Sequence, residues 1–281
     1  MRIIRRSSEL HALVDGLLGE KKRVGLVPTM GNLHAGHHSL VELAREHADV
    51  VIASVFVNPT QFGPNEDFAR YPRTPEADAA GLEASGCDVL LMPAVEDMYP
   101  YGVERSARIS VPELSDVLEG EIRPGHFDGV ATVVAKLFNL VRPHVAVFGQ
   151  KDYQQLLVIR RLARDLAYPI EIVAAPIVRE ANGLAMSSRN QYLGAEQREQ
   201  AGVIHATLQQ MAVEVRAGQP LDTVEAEARA RLQKAGFAPD YTVIRRADDL
   251  RAATAADRHL VALIAARLGS TRLIDNFIID L

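Results

Sequence analysis

The chain has no tryptophan, a single cysteine, and only 7 tyrosines and 8 phenylalanines in 281 residues. A lone thiol, Cys87, excludes an intrachain disulfide, and its place before the apolar DVLLM run fits a buried thiol at a strand start. No stretch approaches the ~20 apolar residues of a membrane-spanning helix. The basic MRIIRR is followed by SSELH, where a signal peptide needs an apolar segment. An excess of positive charge is missing as well: 31 Lys and Arg against 36 Asp and Glu leave −5. That balance gives no electrostatic case for nucleic acid or membrane as the main partner. A soluble protein of the reducing cytoplasm is expected. Internal repeats, low-complexity tracts and long linkers are also missing.

What is present is apolar content of 48%, enough for a sizeable core. Its periodicity predicts helices over 8–18, 76–85, 130–141 and 153–166, with another following His37. Apolar runs predict strands over 24–27, 50–57, 89–92, 145–148 and 171–174, and a short one over 109–111. Strands that are apolar on both faces and alternate with helices imply a parallel sheet covered on both sides. Ligands then sit beyond the carboxyl ends of the strands. After Asn182-Gly183 the texture changes to helices over 195–217 and 221–235 and strand-like runs over 241–244, 260–265 and 274–278. The expected fold is α/β: a Rossmann-like parallel-sheet domain over residues 1–178 and a smaller C-terminal α+β domain over 179–281.

The organising stretch is VGLVPTMGNLHAGHHSLVEL, residues 24–43. It reads as strand, tight loop around Gly31 and Asn32, then helix, with His34 and His37 flanking Gly36 at the loop-to-helix joint. Free N–H groups and partial positive charge make such a joint an anion site. The imidazoles suit hydrogen-bond donation to a phosphoryl group as its charge grows. A solvated histidine cluster, or a metal site of His34, His37 and His38, is the alternative.

Three further loops fall at strand ends or near the domain boundary. In FVNPTQFG, Asn58 and Gln61 are neutral amides suited to hydroxyl and carboxylate oxygens, although Asn-Pro alone is an ordinary turn. In GQKDYQQ, Gly149 can supply a turn, Lys151 can reach an anion, Asp152 can cap the following helix, and Gln155 can face the same crevice as Gln61. In MSSRN, Ser187, Ser188 and Arg189 suit a mobile phosphate clamp, because arginine offers a planar fork of donors. RPGHF, from Arg123 to Phe127, is a further basic loop. Arg70 to Arg73 with Glu66 and Asp67 fit a solvated charge run.

An HxGH element after the first strand, paired with Met-Ser-Ser-Arg after the last, resembles the signatures of the nucleotidylyltransferase superfamily. The wording PTMGNLHAGH, FVNPTQF, RPGHFDGV, FGQKDYQQ and MSSRNQYL, in that order, is similar to the pantothenate synthetase (pantoate beta-alanine ligase) family over nearly the whole chain. That resemblance implies ligation of pantoate and beta-alanine by ATP with Mg²⁺, through a pantoyl adenylate, with AMP and pyrophosphate released. It implies an ATP site of Met30, Gly31, Asn32, Leu33, His34, Ala35, Gly36, His37, Gly149, Gln150, Lys151, Asp152, Val178, Met186, Ser187, Ser188 and Arg189.

Within that set, the resemblance makes His37 and His34 catalytic and sets Lys151, Ser187 and Arg189 against the phosphates. Gln61 and Gln155, with Asn58, would hold pantoate, Gln61 also beta-alanine, and Asp78 would help hold Mg²⁺. A homodimer is a further implication; a lid role for the small domain is expected because Ser187 and Arg189 lie just past the boundary and an adenylate hydrolyses if water enters. Many superfamily members carry a KMSKS loop; Ala185-Met186-Ser187-Ser188-Arg189 lacks both lysines, which shifts positive charge onto Arg189 and Lys151. The rival readings are a related transferase joining a nucleotide to a phosphorylated small molecule, and a non-catalytic nucleotide sensor.

Overall fold

The computed structural model describes residues 1–63, 68–254 and 256–281; Glu66 and Asp67 of the expected charge run lie outside them. The chain divides into two compact units, one comprising residues 1–150 and 154–176, the other residues 151–153 and 177–281.

The larger unit runs β1 (Arg2–Ile4), α1 (Ser7–Gly19), β2 (Val24–Thr29), α2 (Ala35–His47), β3 (Val50–Val55), α3 (Pro75–Ala84) and β4 (Val89–Leu91). It continues through the short helices α4 (Val95–Met98) and α5 (Glu119–Ile122), then α6 (His126–Val141), β5 (Val145–Gly149), α7 (Tyr153–Asp165) and β6 (Glu171–Ala175). Its six strands are all parallel, in the order β1-β4-β3-β2-β5-β6. From β2 the chain steps outward to β3 and β4, then returns to the other side of β2 as β5. The β2/β5 pair is therefore where strand order reverses, the position at which open α/β sheets place their ligands.

One face of this sheet buries Val27, Val51, Ala53, Leu90, Val145 and Val147 against Leu40, Val41 and Ala44 of α2 and Leu82 of α3. The alternate residues Leu26, Ile52 and Ala146 are equally buried and point to the other face. Helix α6, buried along almost its whole length, packs against β2 and α1. Cys87 is 4% exposed just before β4, and burial pushes its thiol up to about 11.

The other unit carries α8 (Ala195–Gln200), α9 (Val203–Arg216) and α10 (Leu221–Lys234). These are followed by the antiparallel sheet β7 (Ala238–Arg246), β8 (His259–Leu268) and β9 (Thr271–Asp280). Ile204, Leu208, Met211 and Val215 of α9 and Val224, Ala228 and Leu232 of α10 pack on Ile244, Leu260, Ala262, Ile264 and Leu273 of the sheet.

Three expectations are corrected. Residues 109–111 form no strand; Ile109 N–H instead donates to Thr132 Oγ1 at 2.9 Å. The first strand, Arg2–Ile4, is too short to show a period and lies outside the expected set. The single helix expected over 195–217 is two, broken at Gly202, where an added Cβ would lie 2.4 Å from the Asn182 carbonyl oxygen.

Candidate active site

At the switch point, β2 passes into a loop that needs left-handed backbone twice in succession, at Gly31 (φ 85°) and Asn32 (φ 51°). A Cβ on residue 31 would lie 2.9 Å from Asp78 Oδ2, so glycine is required both by torsion and by space. Asp78, at the start of α3 and 2% exposed, explains the close approach. Its Oδ2 accepts Asn32 N–H at 3.0 Å, and its Oδ1 accepts Leu33 N–H at 2.8 Å and the Thr74 hydroxyl at 3.1 Å. Buried carboxylates persist when hydrogen-bonded in this way. The expected Mg²⁺ ligand thus holds the Met30–Leu33 loop in shape. Three protein donors converge on its carboxylate, which commits Asp78 to the loop in this structure. Among the described residues no group of three or more His, Cys, Asp and Glu is placed to bind a cation.

Helix α2 begins at this loop with a reciprocal cap made of histidines. His34 is the N-cap; its Nδ1 accepts Gly36 N–H at 3.1 Å, while His37 Nδ1 accepts His34 N–H at 3.3 Å. This is a capping box with imidazoles in the places of Ser/Thr and Glu/Gln. The two rings lie 4.1 Å apart between centroids. Because both Nδ1 atoms accept, the hydrogen-bond pattern assigns the proton of each neutral ring to Nε2. The pair therefore carries its two Nε2–H groups at a helix N-terminus, where negative charge is favoured. His38 does not join them: its Nδ1 lies 3.0 Å from the Ser85 hydroxyl at the end of α3. The three-histidine metal alternative is not assembled.

Asn58 and Gln61 sit on the 3-10 turn Pro59–Gln61 and its cap after β3. Asn58 is only 1% exposed, and both heteroatoms of its amide are engaged. Its Oδ1 accepts the Tyr99 hydroxyl at 2.7 Å and the Thr60 hydroxyl at 3.0 Å; its Nδ2 donates to Gly129 O at 3.1 Å and Gln61 Oε1 at 3.2 Å. Asn58, expected to bind pantoate, therefore orients Gln61 rather than presenting its own amide. The order of donors is set by groups with one role each: the Gly129 carbonyl can only accept from Asn58 Nδ2 and Thr60 N–H can only donate to Asn58 Oδ1, so Asn58 nitrogen also meets Gln61 oxygen. Gln61 consequently turns its NH₂ toward the Met30 thioether. Burial raises the Tyr99 phenol above its ordinary range.

The basic loop before α6 braces the same residue. Arg123 Nη1 lies 3.0 Å from His126 Nε2, and His126 Nδ1 lies 2.8 Å from the Gln61 carbonyl oxygen. Arginine can only donate, so His126 carries its proton on Nδ1 and gives it to that carbonyl. Gly129 lets α6 come this close: a Cβ there would stand 2.3 Å from Thr60 O. Tyr99 has no signal in the sequence, and Arg123 and His126 read there only as part of a basic loop. Only the glycine spacing of RPGHFDGV hints at the contact.

Gly149 is the last residue of β5, paired with Ala175, and its φ is not in the left-handed region. Its contribution is room, since the nearest atom to an added Cβ is Leu40 Cδ2 at 4.0 Å. Gln150 N–H donates to Ala175 O at 2.9 Å. Further along, Gln154 is fully engaged, with Glu119 N–H and the carbonyls of Leu114 and Val117. Gln155, half-buried, makes no side-chain hydrogen bond among the described residues.

In the other unit, Val178 and Met186 are paired by Met186 N–H donating to Val178 O at 2.9 Å, beside an antiparallel bridge between Arg179 and Ala185. Ser187 caps the 3-10 turn Ser188–Tyr192, its Oγ accepting Arg189 N–H at 3.2 Å. Asn190, 4% exposed, pins the turn through Glu180 and Ala185 O. Arg189 is half-buried and has no carboxylate partner among the described residues. Lys151 Nζ is 3.7 Å from Asp152, with the lysine side chain 18% exposed.

A family model described as pantoate-beta-alanine ligase matches residues 2–278. The chain is 62% identical over 269 residues to the pantothenate synthetase of Xanthomonas euvesicatoria pv. vesicatoria (strain 85-10), covering 96% of each. The crystal structure of pantothenate synthetase from Thermus thermophilus superimposes with a TM-score of 0.92 at 46% identity, covering 99% of both chains. The pantoate-beta-alanine ligase of Francisella tularensis, solved with beta-gamma ATP and beta-alanine, has a TM-score of 0.81 at 35% identity, covering 99% of this chain and 97% of that one. With its parallel sheet, its histidine-capped helix and this agreement over its whole length, the chain belongs to the pantoate-beta-alanine ligase family, whose members are ATP-dependent ligases.

Proposed function

We propose that this chain joins pantoate to beta-alanine at the expense of ATP, through a pantoyl adenylate, giving pantothenate, AMP and pyrophosphate. The observation that carries the reading is the reciprocal histidine cap of α2, which holds two imidazoles 4.1 Å apart at a helix N-terminus following β2, a strand of the β2/β5 switch point.

In the first step a pantoate carboxylate oxygen attacks the α-phosphorus, and the bond from that phosphorus to the pyrophosphate oxygen breaks. His34 and His37 donate to the oxygens on which charge grows. Lys151, Ser187 and Arg189 are assigned to the phosphates, and Gly149, Gln150, Asp152, Val178, Met186 and Ser188 to the remainder of the nucleotide. In the second step the neutral beta-alanine amine attacks the acyl carbon, the C–O bond to AMP breaks, and the amine gives up a proton. Gln61 is assigned to pantoate and to beta-alanine, exchanging the Met30 thioether for a substrate oxygen as acceptor; Gln155 holds pantoate.

No side-chain nucleophile takes part, so positioning and preorganised donors supply the acceleration. Mg²⁺ belongs to this reading as the counter-ion of the ATP phosphates, with Asp78 already bonded to the Met30–Leu33 loop. A cytoplasmic homodimer is part of the same proposal, and sedimentation at the mass of one chain would remove the dimer. The transferase rival calls for a cationic pocket where this chain places the Gln61 amide.

Isotope transfer tests the chemistry. With ¹⁸O in the pantoate carboxylate, mass spectrometry should find one ¹⁸O in AMP for each pantothenate formed. Unlabelled AMP, or ADP with phosphate as products, would refute the adenylate.

A further inference from the structure

Lys151 follows β5 closely in sequence, yet Lys151–Tyr153 group with residues 177–281 as one compact unit. Two hydrogen bonds account for this. Asn276 Nδ2 on β9 donates to the Lys151 carbonyl oxygen at 2.9 Å, and the Tyr153 hydroxyl donates to Ala247 O at 2.9 Å. Asn276 is 1% exposed and Tyr153 5%; the Tyr153 bond is buried and the Asn276 bond partly so, and a buried group that loses its partner is costly.

The neighbour of Asn276 ties down the second phosphate-directed segment of the same unit. Asp275, 4% exposed, accepts Arg179 Nη1 at 2.6 Å on Oδ2 and Arg179 Nη2 at 3.0 Å on Oδ1, a bidentate pair. Arg179 Nη1 also donates to Gly183 O at 3.0 Å, closing the turn that leads to Met186 and Ser187. Asp275 Oδ1 in addition accepts Asn276 N–H at 2.8 Å. Two adjacent residues of β9 thus anchor the main chain of Lys151 and the base of the Val178–Ser187 turn.

We infer that Asn276 is a positioning residue, which fixes Lys151 through its main-chain carbonyl and so sets it in register with Ser187 and Arg189 within the C-terminal unit. The inference rests on the reading that Lys151 meets the phosphates. Its logic is that of preorganisation: a cation on a long flexible side chain aids a transition state only if its base is fixed, and a misplacement of ~1 Å can cost on the order of 100-fold.

The experiment is a double-mutant cycle of Asn276→Ala and Lys151→Ala, read by single-turnover adenylate formation, pantoate KM and thermal midpoint. Asn276→Leu, of similar volume, is carried alongside in case truncation unfolds the protein. Asn276→Ala should slow adenylate formation about 10-fold to 100-fold with pantoate KM unchanged. In the Lys151→Ala background the same change should have almost no further effect, the signature of two residues acting as one. Equal slowing in both backgrounds, or loss that tracks only the thermal midpoint, would overturn the positioning role while leaving Lys151 in place. A wild-type rate for Lys151→Ala would overturn the underlying reading, and this inference with it.

Discussion

Tyr99 acts on Gln61 through Asn58. Its hydroxyl donates to Asn58 Oδ1 at 2.7 Å, and Asn58 Nδ2 holds the Gln61 amide through a bond of 3.2 Å. Tyr99→Phe removes the shortest bond to the Asn58 amide and loosens its hold on Gln61. A lost hydrogen bond of this kind is worth about 1 kcal/mol, so pantoate KM should rise roughly 5-fold to 10-fold with ATP KM unchanged. Steady-state kinetics on both substrates decides it, and an equal rise in both would contradict the orienting role.

At this scale the sequence reveals the chemistry better than the geometry. His34 and His37 are recognisable because three-residue spacing at a strand-to-helix joint admits few arrangements. Asn58 reads as a pantoate ligand because nothing local indicates that its partners are Tyr99, 41 residues away, and Gly129, 71 residues away. Asp78 enters only through the family resemblance, as a Mg²⁺ ligand; its bonds to backbone N–H groups of a loop 45 and 46 residues earlier have no local signal in the sequence.

Secondary-structure elements are legible where their period is long and unbroken, as in β2, β3, α6 and α7. They are not where the deciding contact is distant, as at Gly202, where the approach of Asn182 splits an apparently continuous helix. Helix α9 also carries an element-scale test. His205 packs against Gly183 and near the Phe277 ring, and its Nδ1 is buried without a hydrogen-bond partner among the described residues. Burial, followed by the nearby Arg179 guanidinium, lowers its pKa, opposed by Asp275.

A histidine whose folded pKa lies below its unfolded value resists protonation in the folded state. Below the ordinary value of about 6.5 the unfolded chain therefore binds more protons, and stability falls with pH until the depressed folded pKa is passed. His205→Gln should then lose less thermal stability than the wild type as pH falls from about 7.5 to about 5.5, a window that brackets the ordinary value. Parallel pH profiles for the two proteins would remove His205 from the acid sensitivity.

For the whole molecule, the apolar alternation suffices to expect a parallel sheet followed by a smaller α+β region, and both are present. Alternation cannot show that residues 151–153 group with the later segment, because that depends on single hydrogen bonds to β9 and to the chain before β8. The proposed lid role belongs at this scale too. A lid that excludes water would protect an adenylate from hydrolysis, so ATP with pantoate should slow proteolytic cleavage across residues 183–193. Unchanged cleavage would argue against closure.

The central claim is that pantoate is activated on the enzyme as an adenylate before beta-alanine takes part. Exchange of labelled pyrophosphate into ATP, with Mg²⁺ and pantoate present and beta-alanine withheld, tests it most directly. Exchange should require pantoate and should be abolished or slowed at least about 100-fold by His37→Ala. Absence of exchange in a folded, ATP-binding wild-type sample would contradict it.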